Sequence, residues 1–206
     1  MPAGEIRVDA QSGIARVVLS HPGRLNAMTR AMWRRLREVF TGLQQDASCR
    51  CVLVQGEGGA FCAGGDISEY ESFRFHESSL REFHEDDVWG GLQAMLDCDV
   101  PVVASIAGAC MGAGVETASC CDVRIPADDA SFGAPIARLG FPMAPREAQL
   151  VARVAGESTA RQLLPPGDFE NLRTNLDRSI HDVVPNLPDS DAFYIDKSRP
   201  ETLKQL

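Results

Sequence analysis

Positive charge is scarce in this sequence: 20 Lys and Arg stand against 29 Asp and Glu, a formal net charge of -9 over 206 residues. That balance excludes the basic footprint by which proteins hold nucleic acid or an anionic membrane surface. It leaves room for a small anionic ligand, because loop amides and a few local arginines bind phosphate without a basic surface. Long apolar runs are missing too. The most apolar stretches end in Gly, Pro or charge well short of the roughly 20 residues that a spanning helix needs. Met1-Pro2-Ala3-Gly4-Glu5 lacks the basic-then-apolar pattern of a secretory signal, so a cytoplasmic protein is expected. The 7 cysteines are odd in number and contain no CxxC pair, which argues against zinc and against a disulfide framework. Buried free thiols are expected instead. The 4 histidines form no metal-spaced cluster, and no metal is expected. His76 and His84, set among Glu, Arg and Asp, are expected on a solvated face.

What is present is an ordinary globular composition, 44% hydrophobic and 24% charged, long enough for one domain with a short appendage. Ile6–Asp9 and Ile14–Leu19 read as strands joined by Gln11-Ser12-Gly13. Thr29 can cap a helix running to about Gln45, with Met32, Trp33, Leu36, Val39, Phe40 and Leu43 on one stripe. Cys51–Gln55 and Pro101–Ile106 read as buried strands, 78–96 as a helix, and 122–125 as a further strand. A small-residue helix is expected from about Gly114, and helices from Arg146 to Leu164. This alternation predicts an α/β layer architecture.

Two glycine-rich turns share one grammar. Gly58-Gly59-Ala60-Phe61-Cys62-Ala63-Gly64-Gly65-Asp66-Ile67 and Gly108-Ala109-Cys110-Met111-Gly112-Ala113-Gly114-Val115-Glu116 both follow a strand and precede a helix. Small residues allow close approach of a ligand to the backbone, and amides at a helix start are unpaired and electropositive. If the turns face each other, they offer two N–H groups to one oxygen. Neither turn ends in Gly-Lys-Ser/Thr or fits GxGxxG with an acidic ribose ligand, so a phosphate cradle is the weaker reading. Spacing alone leaves a ligand role and plain tight-turn structure both open.

Ala60-Phe61-Cys62-Ala63-Gly64-Gly65-Asp66-Ile67 resembles the first oxyanion segment of the crotonase (enoyl-CoA hydratase/isomerase) superfamily. Ile106-Ala107-Gly108, then Met111-Gly112-Ala113-Gly114-Val115-Glu116 and Cys121-Asp122-Val123-Arg124, resembles the second. His21-Pro22 with Leu25-Asn26-Ala27 is similar to the family's N-terminal loop, and Ser131-Phe132-Gly133 to the strand entry that follows. The resemblance runs in order from about Ile6 to Leu164.

It implies a spiral of repeated ββα units as the fold, commonly assembled as a homotrimer or a hexamer made of two trimers. It implies an acyl-CoA thioester as ligand, with coenzyme A part of the substrate and no separate cofactor. The Gly65 and Ala113 amides would form the oxyanion hole. Glu116 falls on the first of the two glutamates that family hydratases carry. Arg24, Leu25, Ala27, Ala63, Gly64, Asp66, Ile67, Gly112 and Ile136 would contact the substrate or its CoA moiety, Asp66 serving chiefly as a helix cap.

The chain departs from the pattern twice. The second glutamate should follow Pro135, where the sequence has Ile136; Glu147 and Glu157 lie further along, with nothing in the sequence to place either in the pocket. After a core spanning 1–164, residues 165–206 read as a divergent segment. Phe169, Leu172, Leu176, Ile180 and Val183 lie at helical spacing, followed by an irregular tail beyond Pro185. An acyl-CoA-processing enzyme, hydrating an enoyl-CoA, is the first expectation, with isomerisation and decarboxylation left open by the missing second glutamate. A catalytically weak crotonase-fold module that binds acyl-CoA or a partner chain is the second.

Overall fold

Apolar residues alternate along 14–20, which places Ala15, Val17 and Leu19 on one face, and all three are buried. In the structure, a computed structural model describing residues 3–134 and 143–163, this segment is β2 (Ile14–Ser20). It pairs antiparallel with β1 (Glu5–Gln11) through a turn in which Ser12 and Gly13 have φ of 54° and 81°. β3 (Cys51–Gly56), β4 (Val102–Ile106) and β6 (Val123–Pro126) extend the sheet in parallel, in the order β1-β2-β3-β4-β6. A second sheet of two parallel strands, β5 (Ala109–Met111) and β7 (Ser131–Gly133), leaves the end of the first.

Parallel neighbours require crossover connections, and helices supply them. Between β2 and β3 runs α1 (Arg30–Gln45), whose first turn is capped by the Thr29 hydroxyl accepting from the Met32 N–H at 3.1 Å. Its buried residues are the six of the expected stripe, and with the inward faces of β2, β3 and β4 they make the core. Between β3 and β4 the chain forms a 3-10 helix (Ile67–Ser72) and then a long helical run from Glu77 to Leu96. Between β5 and β6 lies the short α4 (Ala113–Ser119). Then α5 (Pro145–Ala155) and α6 (Glu157–Leu163) follow, with α5 packed on α4. No helix of the described residues is long and apolar enough to cross a membrane. The segment 165–206 and Ile136 lie outside the described residues.

The run expected as one helix over 78–96 is not uniform. It is α2 (Glu77–Glu82), a π turn over Phe83–Val88, and α3 (Trp89–Leu96). The widened turn is held from α1: Asp87, only 2% exposed, accepts from Arg30 Nε at 2.5 Å and Arg34 Nε at 2.6 Å. On its other side Phe83 stacks on Phe73 with ring centroids 4.4 Å apart. Such turns interrupt helices where a side chain must be aimed differently from its neighbours.

Removing Asp87 takes one carboxylate from two guanidinium groups, but both keep Glu82, at 3.0 and 3.2 Å, and Arg34 is 54% exposed. Asp87→Ala is thus expected to lower stability by about 2 kcal/mol, less than the 3–5 kcal/mol typical of breaking a fully buried pair. Chemical denaturation of the two proteins measures this.

Candidate active site

The two glycine-rich turns meet backbone to backbone. Phe61 and Cys62 both donate their N–H groups to the Ala109 carbonyl, at 3.0 and 2.9 Å, and Met111 N–H donates to Cys62 C=O at 2.8 Å. Small residues make this approach possible. A Cβ on Gly108 would lie 2.1 Å from the Gly59 carbonyl oxygen, and one on Gly114 2.7 Å from the Cys62 carbonyl oxygen. The second turn is fixed on its other side by Gly112 N–H donating to Gly133 C=O at 2.8 Å.

The N-terminal loop is bolted onto the first turn. Asn26, 3% exposed and at φ 60°, accepts from His21 N–H and donates to the carbonyls of Glu57 and Ala60 at 2.9 and 2.8 Å. Ala63 N–H donates to Leu25 C=O, Met28 N–H to Gly64 C=O, and Asp66 N–H to Met28 C=O, all at 2.8–2.9 Å. Asp66 caps the 3-10 helix by accepting from Ser68 N–H at 3.0 Å, the role its position suggested.

A cavity of about 370 Å3 opens beside this junction. Gly65 and Ala113 both line it, and among the described residues neither amide has a backbone acceptor. Ala113 is the first residue of α4, so its N–H has no partner inside the helix. Gly65 is pressed by Tyr70, whose hydroxyl oxygen would lie 2.8 Å from a Cβ added there. Arg24, Ala27, Ala63, Gly64, Asp66, Ile67 and Gly112 also line the cavity. Leu25 does not; it is 61% exposed and contributes its carbonyl to the loop junction.

Glu116, one turn into α4, faces the same cavity. Burial, reinforced by the charge of Glu147, pushes its carboxyl up to about 8. Glu147 is the residue that sequence reasoning left unplaced. It sits in the first turn of α5, is 3% exposed and lines the cavity, its own pKa raised mainly by burial and then by Glu85. Glu157, by contrast, is exposed and pairs with Arg161 one turn on.

His84 corrects an expectation. It was expected on a solvated face, but the π turn carries it to the cavity wall, half-buried, with Phe83 and Val88 beside it. Desolvation there lowers its pKa. His76 is exposed, as expected. Trp33, Tyr70 and Met143 complete an apolar and aromatic wall that no motif announced.

The family model for enoyl-CoA hydratase/isomerase matches residues 9–169. This chain belongs to the enoyl-CoA hydratase/isomerase family. It is 31% identical over 162 residues to a Mycobacterium bovis protein named a probable enoyl-CoA hydratase, which covers 79% of this chain and 61% of the relative. It is 35% identical over 131 residues to the mitochondrial Delta(3,5)-Delta(2,4)-dienoyl-CoA isomerase of Mus musculus, covering 60% of this chain and 40% of that one. The crystal structure of an enoyl-CoA hydratase/carnithine racemase from Magnetospirillum magneticum superposes with a TM-score of 0.74 at 27% identity, over 97% of this chain and 85% of that chain. The fold is thus the mixed α/β crotonase fold of the family, and the chain spans about three fifths of the length of its mycobacterial relative.

Two outcomes are expected from this geometry. Asn26→Ala leaves two buried carbonyls and the His21 amide short of a partner, which should cost about 2–4 kcal/mol in denaturant unfolding. Glu116→Gln tests the half-buried carboxyl. A carboxyl with a raised folded pKa keeps its proton where the unfolded chain has lost it, so its contribution to stability falls as pH rises from 4.5 to about 8 and then levels. The amide carries no such penalty. Its melting temperature should exceed that of the parent protein at pH 9 and match it near pH 4; the opposite ordering at pH 9 would show that the carboxylate is well solvated.

Proposed function

We propose that this protein is an acyl-CoA-processing enzyme that hydrates an enoyl-CoA, with the thioester oxygen held by the amides of Gly65 and Ala113 and proton transfer by Glu116. The observation that carries the reading is the junction itself. Two glycine-rich turns are hydrogen-bonded to each other so that both candidate donors and the half-buried Glu116 carboxyl border a single cavity. Membership of the enoyl-CoA hydratase/isomerase family supports the acyl-CoA substrate class.

The chemistry follows from charge. When water adds to the β-carbon of a conjugated thioester, its oxygen forms the new C–O bond as one O–H bond breaks and its proton passes to Glu116, and the double-bond electrons move through the α-carbon onto the thioester oxygen. Two preorganised amides stabilise that enolate, each contributing about 2.7–4 kcal/mol. The enolate then takes a proton at the α-carbon. A carboxyl near pKa 8 lies close to neutral pH, where exchange in both directions is efficient. The aromatic wall excludes water from the acyl chain, and the Leu25–Ala27 loop with Ala63 would receive the CoA moiety. Assembly of copies as trimers or pairs of trimers is part of the same reading.

Crotonyl-CoA tests it. The purified protein should bind the ester by calorimetry and remove its conjugated ultraviolet absorbance. Glu116→Gln should lose about 10²–10⁴-fold in kcat with the dissociation constant little changed. Binding without turnover in the parent protein would favour an acyl-CoA-binding module instead. Full activity in the variant would remove Glu116 from the mechanism.

A further inference from the structure

We propose that Glu147 is the second acid–base group of this site, delivered from the first turn of α5 rather than from position 136, where the sequence has Ile. The inference rests on the proposed function and deepens it. Three observations on geometry carry it. Glu147 borders the same cavity as Glu116, Gly65 and Ala113. It is 97% buried, yet among the described residues no cation and no side-chain donor pairs with it, and its carboxyl accepts from its own backbone N–H. A carboxyl so placed is expensive for the fold, and its immediate neighbour Arg146 points elsewhere, pairing with Glu85 at 2.8 Å and lying over the Trp89 ring. Finally, α5 packs on α4, so the two glutamates approach the cavity from adjoining helices.

The electrostatics agree with this placement. The charge of Glu147 adds to burial in raising the Glu116 pKa, as expected for two carboxyls that hold one proton between them. The other titratable or charged groups around the pair are Arg24 on the N-terminal loop, Tyr70 and Asp66 on the first-turn side, His84 and Glu85 on the π turn, Cys62 and Cys120, which interact with Glu116, and Arg146. Arg146 acts on Glu147 through its charge, but among the described residues neither glutamate forms an ion pair.

Two carboxyls sharing one proton suit hydration. The unprotonated member takes a proton from water as the water oxygen bonds to the β-carbon and an O–H bond breaks. The protonated member gives its proton to the α-carbon as the enolate reverts to a thioester. One water is consumed, and the pair ends with its proton on the opposite member, so the site is ready again after a proton shift between them.

The experiment compares the parent protein, Glu147→Gln and Glu147→Asp in crotonyl-CoA hydration across pH, with ester binding by calorimetry as a folding control. Glu147→Gln should lower kcat by about 10²-fold or more with KM within about 3-fold. Because the amide removes a neighbouring negative charge, the limb of the pH profile assigned to Glu116 should also move to lower pH. Glu147→Asp, which keeps the charge, should leave that limb near its place and restore part of the rate. A Glu147 that acts only through its charge would move the limb and leave the plateau kcat at the parent level, and that outcome too would overturn the assignment. Parent-level kcat and an unmoved limb in Glu147→Gln, with the parent protein active, would overturn this assignment and leave the proposed function standing. A parent protein that binds crotonyl-CoA without hydrating it would overturn both.

Discussion

The contact on which the rest depends is the backbone seam between residues 61–62 and 109–111. Three hydrogen bonds, from Phe61, Cys62 and Met111, join two loops that are nearly 50 residues apart in the chain. Only small side chains allow two backbones to come this close, and the Gly108 and Gly114 positions have no room for a Cβ. The seam brings Gly65 and Ala113 to one cavity, presses the first turn of α4 against the first loop, and so fixes where Glu116 emerges. β5 and β7, though only three residues each, hold the far side of the second loop in register.

A rigid frame surrounds the seam. The parallel strands β3 and β4 deliver the two loops from their carboxyl ends, and α1 supplies the apolar floor through Trp33 and the ion-paired support of the π turn through Arg30 and Arg34. The cavity therefore has a polar edge, made of amides and loop backbone, and an aromatic wall. Its two glutamates, Glu147 buried and Glu116 half-buried, are the costly part. Each disfavours its charged form through desolvation, and their proximity adds to the cost. A fold tolerates such groups where chemistry needs a proton that moves near neutral pH, so stability is lowered at the very place where function is concentrated.

Much of this was legible in the residues. The alternation in β2, the stripe of α1 and the Thr29 cap appear in the structure where period and side-chain chemistry put them, because both are local properties. The glycine turns were legible as a motif, and the family resemblance implied an oxyanion role for them. His84 was misread because its neighbours in sequence are charged, whereas its environment is set by a π turn that no propensity encodes. Glu147 was visible only as an acidic residue following Pro145, a common way to begin a helix. Nothing local says that this helix start faces inward.

The sequence by itself determined the strands, the capped amphipathic helix, the two close-approach turns and the family, since each depends on residues near one another in the chain or on a motif in fixed order. The tertiary structure alone decided that the two turns share a seam, that His84 and Tyr70 wall the cavity, and that Glu147 borders the same cavity as Glu116. The physical reason is the same in each case. Burial and charge coupling depend on distances between segments that the chain brings together only when it folds, and no spacing along the sequence records them.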